Sequence, residues 1–123
     1  IDDKGTYHLT WFSIENNKGN IFFAESTDKG ETFINRKKIG SENAAHPYIN
    51  GKGNDLIITW LDYENEMSSI KQISSNDYGK NWKSVKEIFS FKENGDHPLI
   101  IKNKSKFFLT GKSGEKIFLS YIE

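Results

Sequence analysis

The sequence predicts an all-β protein made of repeated four-stranded antiparallel sheets. Three observations carry this expectation. A repeat of about 50 residues runs along the chain. Each copy holds short runs of branched and aromatic residues separated by Gly- and Asn-rich turns. No segment sustains the 3.6-residue period of an amphipathic helix. Composition agrees: only 35% of residues are hydrophobic while 14% are aromatic, the balance of many short strands with wet faces.

The repeat is anchored by Ser26-Thr27-Asp28-Lys29-Gly30-Glu31-Thr32-Phe33, which matches Ser75-Asn76-Asp77-Tyr78-Gly79-Lys80-Asn81-Trp82 at an offset of 49. Both read S-x-D-x-G-x-x-aromatic. The same offset carries Thr10-Trp11 onto Thr59-Trp60 and Ile21 onto Ile70. A second match, at an offset of 51, joins His46-Pro47-Tyr48-Ile49 to His97-Pro98-Leu99-Ile100. The period is close to the roughly 40–50 residues of a four-stranded propeller blade.

The complete copy sets the elements in order. Strand A is expected from Pro47 to Asn50, and the turn cluster Gly51-Lys52-Gly53-Asn54 ends it. Strand B is the run Asp55–Asp62, strongly β-forming. Glu64-Asn65-Glu66 breaks the chain before strand C, Ser69–Ser74, and the Ser75–Trp82 box leads into strand D, Val85–Phe91. The first copy, about 1–43, is expected to open on the tail of a strand A at Ile1. The second spans about 44–94, and the third, about 95–123, stops after strand C with Ile122 where the box serine would stand. Roughly ten strands are expected in all.

The box suits a tight link between antiparallel strands. Its Asp can accept backbone N–H groups of its own turn, its Gly allows positive φ, and its aromatic ring can fold back and bury an apolar face. On these boxes the chain resembles the Asp-box, or BNR-repeat, β-propellers typified by sialidases (neuraminidases), as about two and a half blades. The resemblance implies that Ser26, Asp28, Gly30, Phe33, Ser75, Asp77, Gly79 and Trp82 are structural, at the end of the sheets away from an active site. Ca²⁺ ligation by Asp28 or Asp77 is the alternative reading. It also implies a secreted, periplasmic or cell-surface location.

Enzymes of that family grip a substrate carboxylate with three arginines and use a Tyr/Glu nucleophile pair and an acid/base Asp. This chain has one arginine, Arg36, in outer strand D, and lysine cannot make the bidentate fork. Tyr121 and Glu123 lie in strand C at the chain end and are not read as that pair. No catalytic residue is therefore assigned here. The expected role is a non-catalytic carbohydrate- or protein-binding scaffold, the alternative being part of an exo-sialidase whose arginines lie outside this chain.

Meander topology puts the boxes at one end of the sheets and the B–C and D–A connections at the other. The His-Pro steps are expected in the D–A connections. His46, His97, Asp96, Trp11, Trp60, Asp62 and Tyr63 are thus candidates for a ligand-binding rim. His46 and His97, with Asp96, form the only candidate set for a transition metal. The alternatives are a histidine that packs at each repeated strand start and tryptophans that pack in the core rather than stack on sugar.

Other classes are excluded or unsupported. With 17 basic and 17 acidic residues the charge is balanced, which argues against a nucleic-acid partner. There is no Cys, so neither a disulfide nor a thiolate metal site can form. Apolar runs such as Leu56-Ile57-Ile58 are far shorter than the roughly 20 residues of a membrane-spanning helix. Phosphate-binding and hydrolase motifs are missing. Two and a half blades fall short of the roughly four that close a propeller. The remaining blades are expected from the same parent chain or from oligomerisation, with Ile1 an artificial or proteolytic start and Glu123 close to a true C-terminus.

Overall fold

A computed structural model describes residues 1–92, 95–104 and 106–122, with the side chains of 95–98 and 113 outside the description. The described chain is all-β, with ten strands and no helix among them. β1 (Tyr7–Glu15), β2 (Lys18–Ser26) and β3 (Ile34–Ile39) form the first sheet. β4 (Ala44–Lys52), β5 (Asp55–Glu64), β6 (Met67–Ser75) and β7 (Lys86–Phe91) form the second. β8 (Gly95–Asn103), β9 (Lys106–Ser113) and β10 (Lys116–Ile122) form the third. Every pairing between these strands is antiparallel and joins strands adjacent in sequence, and an isolated parallel bridge links Gly19 to Asn43.

Turn chemistry sets the registers. Glu15 pairs with Lys18 and Glu64 with Met67, so each hairpin turns on two residues. Asn16-Asn17 and Asn65-Glu66 all hold positive φ, between 52° and 62°, the conformation of a type I′ turn that matches strand twist.

The sheets pack in chain order. β4 lies against β1 and β2 of the first sheet, and β8 lies against β4, β5 and β6 of the second. β5 is apolar on both faces because both are covered. Leu56, Ile58 and Trp60 join Ile21, Phe23, Ile39, Ala44 and Ile73 in one cluster, while Ile57 joins Ile70, Phe91, Ile100, Leu109 and Ile122 in the other. The run LIITWL, with Thr59 as its one polar and fully buried member, is what a middle layer requires, since full alternation would put many polar groups into one core. Ile122, standing where the boxes have serine, is buried in the second cluster.

Three expectations are corrected. The His46-Pro47 step lies inside β4, not in the connection before it. Ala45 pairs with Leu61 and Tyr48 with Thr59, so His46 and Pro47 together face Trp60 in a β-bulge. The bulge absorbs a proline that has no N–H for the ladder, and His46 takes a φ of 50° to make it. The register of β8 shifts in the same way between Asp96 and Leu99, across His97-Pro98. Ile1 does not continue a strand: residues 1–6 form a turn in which the Asp2 carboxylate accepts the N–H groups of Lys4 and Thr6, each at 2.9 Å. Phe33 is not buried. It is 44% exposed, whereas its counterpart Trp82 packs edge-on against Phe23 of the first sheet at 5.1 Å. Trp82 has a preceding sheet to lean on, and no described element lies in that place for Phe33.

Candidate ligand-binding site

The two box turns have nearly the same hydrogen bonds. The Ser26 hydroxyl donates to Asp28 Oδ1 at 2.6 Å and accepts the Gly30 N–H at 2.8 Å. Asp28 in turn accepts the Thr32 N–H at 2.9 Å and the Thr32 hydroxyl at 2.5 Å. In the second turn Ser75 donates to Asp77 at 2.7 Å and accepts the Gly79 N–H at 2.9 Å. Asp77 accepts the Asn81 N–H at 2.9 Å and its side-chain amide at 2.7 Å. Gly79 sits at φ 81°, and a Cβ there would come within 2.9 Å of the Phe23 ring, so both conformation and space call for glycine. Both oxygens of each carboxylate are already engaged, so a Ca²⁺ ion would have to displace these donors.

The donors stabilise the charged carboxylates. The Ser26 hydroxyl first, then the Thr32 hydroxyl and N–H, hold the Asp28 pKa down at about 2. For Asp77 the Asn81 N–H leads, followed by the Asn81 amide and the Ser75 hydroxyl, again giving about 2. A carboxylate whose folded pKa is depressed contributes stability that is complete above its unfolded value, about 4, and lost as pH falls through the folded one. The melting temperature is therefore expected to drop between pH 4 and pH 2. The Asp28→Asn/Asp77→Asn double variant, less stable at pH 7, should lose clearly less over that acid interval. Melts followed by circular dichroism at pH 7, 4 and 2 check this, and an unchanged acid slope in the double variant would rule out the box carboxylates as its source.

The opposite end of the sheets carries the B–C hairpins and the chain between β3 and β4, and most of the candidate rim lies there. Trp60 is fully buried in the first cluster. Asp62 is buried too, and three donors surround it: the Ser41 hydroxyl at 2.7 Å, Lys71 Nζ at 3.2 Å and the Trp60 indole N–H at 3.4 Å. Ser41 belongs to the segment between the first two sheets, so Asp62 ties that segment to β5 and β6. Neither Trp60 nor Asp62 is free to touch a ligand.

Tyr63, the next residue, is half-exposed and borders two grooves. One, of about 370 Å³, runs between the first two sheets past Phe12, Lys18, Glu42 and Ala44. The other, of about 460 Å³, passes Asn65, Glu66, Met67 and Lys92. Lys18 and Glu42 form an exposed ion pair at 2.6 Å on the wall of the first groove, and the Lys18 hydrogen bond holds the Glu42 carboxyl below its usual range. The rim is thus an aromatic ledge, Tyr63 with Phe12, above a fixed base.

The remaining candidates are dispersed. His46 is exposed at the β4 bulge. Asp96 and His97 lie on β8, but their side chains are outside the described residues, as is Glu123, so the proposed metal set and the Tyr121–Glu123 pair are too. Among the described residues no three His, Cys, Asp or Glu side chains gather as metal ligands. Trp11 stacks on Phe22 at 5.4 Å, and Arg36 lies 4.0 Å above the Phe22 ring while pairing with Glu15 at 2.6 Å. The arginine is committed to this flank of the first sheet.

Sequence reasoning missed a buried pair. His8 Nε2 and Asp2 Oδ2 are 2.9 Å apart with both side chains almost wholly buried, and His8 Nδ1 has no hydrogen-bond partner among the described residues. Burial opposes the Asp2 charge, but hydrogen bonds from His8, Thr6 and Lys4 outweigh it and hold the carboxyl below its usual range. Both residues line a cleft of about 410 Å³ with Lys52 and Lys102, on the box side of the sheets. The usable signal was the turn-forming Asp2-Asp3-Lys4-Gly5, which folds Asp2 back onto β1. Compared with family models and with curated proteins, the chain matches none.

Proposed function

We propose that the chain is a segment of an Asp-box β-propeller of the sialidase type, serving as a carbohydrate- or protein-binding scaffold without a catalytic set of its own. The reading rests chiefly on the exposed Tyr63–Phe12 ledge, which lies at the end of the meanders opposite the two Ser-Asp-Gly turns. Such a ledge offers apolar ring faces beside polar groove walls, the combination that takes up a sugar ring. Commitment of Arg36 to Phe22 and Glu15 supports a non-catalytic role, because the one guanidinium is not at the ledge. The family resemblance adds a secreted, periplasmic or surface location. It also adds further blades as partners, from the same polypeptide or from other copies.

The test is a calorimetric titration with sialylated and neutral oligosaccharides. Tyr63→Ala is expected to weaken binding roughly tenfold, about the value of one aromatic stacking contact. Equal affinity in the parent and the variant would discard the ledge. Release of a fluorogenic aglycone from a sialoside by this chain would discard the non-catalytic reading.

A further inference from the structure

The third sheet is apolar on both faces, and only one is covered. Ile100, Leu109 and Ile122 point into the second cluster. On the other side cross-strand pairing brings together Leu99, Ile101, Phe108, Ile117, Leu119 and Tyr121. Ile117 is 82% exposed and Leu119 65%. This face repeats one already in use: at the offset of 51, Leu99 and Phe108 stand where Tyr48 and Ile57 stand, and Ile117, opposite Lys112, stands where Ile70 stands opposite Leu61. Tyr48, Ile57 and Ile70 form the side of the second sheet that packs on the third.

The first sheet has the matching opposite half. At the offset of 49, Tyr7, Leu9, Trp11 and Phe33 stand where Leu56, Ile58, Trp60 and Trp82 stand. Those four form the side of the second sheet that receives the first. Leu9 is 40% exposed, and Phe33 lacks the contact that Trp82 makes with Phe23. The two ends of the molecule thus carry the two complementary sides of a contact that the chain already makes twice internally.

We propose that the free face of the third sheet docks on the free face of the first sheet of a second copy of this chain, head to tail. The contact is heterologous: each copy uses a different face, and the assembly closes into a ring or grows into a filament according to the rotation per copy. It stands on sheet packing alone and needs no ligand at the Tyr63 ledge. Covering both faces removes large apolar side chains from water, the driving force that holds the three sheets together within one chain.

Sedimentation velocity of the intact chain tests it. The parent is expected to run at twice the chain mass or more. Leu119→Glu, which spoils the third-sheet face, and Leu9→Glu, which spoils the first-sheet face, are each expected to run as monomers. An equimolar mixture should return to dimer, because one intact face of each kind is then present. A monomeric parent overturns the proposal, as does a mixture that stays monomeric. A single variant that still dimerises by itself also overturns it, since it would mean like faces pair. Circular dichroism checks folding, and Ile117→Ser with Phe33→Ser gives a milder pair on the same two faces.

Discussion

Trp60→Ala is expected to cost about 3–5 kcal/mol of folding stability, the range for deleting a large aromatic side chain from a packed core. The indole is fully buried among Ile58, Ile21, Phe23 and Ala44, at the contact between the first and second sheets. A cavity there loosens two sheets at once, and Asp62 loses its indole donor. The same change at Trp11 should cost much less, because that residue is only partly buried and its neighbours are Phe22 and Arg36 on an open flank. Urea titrations followed by far-ultraviolet circular dichroism compare the two without depending on tryptophan fluorescence. Equal costs would contradict the placement of Trp60 in the shared core.

Lys71→Met is expected to cost about 3 kcal/mol, the lower end of the range for breaking a buried ion pair by removing one partner. The lower end applies because Lys71 reaches water whereas Asp62 does not: their side chains are 21% and 1% exposed. Left without its cation, the Asp62 carboxylate keeps the Ser41 hydroxyl and the Trp60 N–H as its donors among the described side chains. The Asp62→Leu/Lys71→Met double variant should be more stable than Lys71→Met alone, because no uncompensated charge remains in the core. A double-mutant cycle measures this coupling. Simple additivity of the two single changes would show that the pair does not act as a unit.

Much of the strand plan was legible because turn residues and apolar runs recur at fixed offsets. Glu64-Asn65-Glu66 and the two Ser-Asp-Gly boxes mark where the chain reverses, and the Asp55–Asp62 run marks β5. The start of β4 was harder to read. Ala44 and Ala45 carry little strand signal, and proline normally argues against a ladder, so the bulge at His46-Pro47 emerges only from the pairing register. The burial of Phe33 was misjudged because a local motif says which way a ring turns and not what surface meets it.

The candidate rim divides along the same line. Tyr63 could be placed by topology, since the end of strand B is set by the turn that follows. The roles of Trp60 and Asp62 could not, because their partners are distant in sequence. Lys71 becomes a neighbour only through the register that sets it opposite Trp60, and Ser41 arrives from the segment between two sheets. The Asp2–His8 pair depends likewise on a turn that folds the chain back across six residues.

The box turns also bear on how the chain finds its fold. Each closes its Ser-Asp side-chain network between a serine and a residue six positions on, although Asn54 adds two bonds to the second turn. Loops this short close in tens of nanoseconds, long before sheets separated by some 50 residues can meet. Each turn aligns the strand before it with the strand after it, β2 with β3 and β6 with β7, at little loop-closure entropy. The outer strand pairs can thus form as local units, leaving the slower search to the burial of Trp60 and Ile100 between sheets.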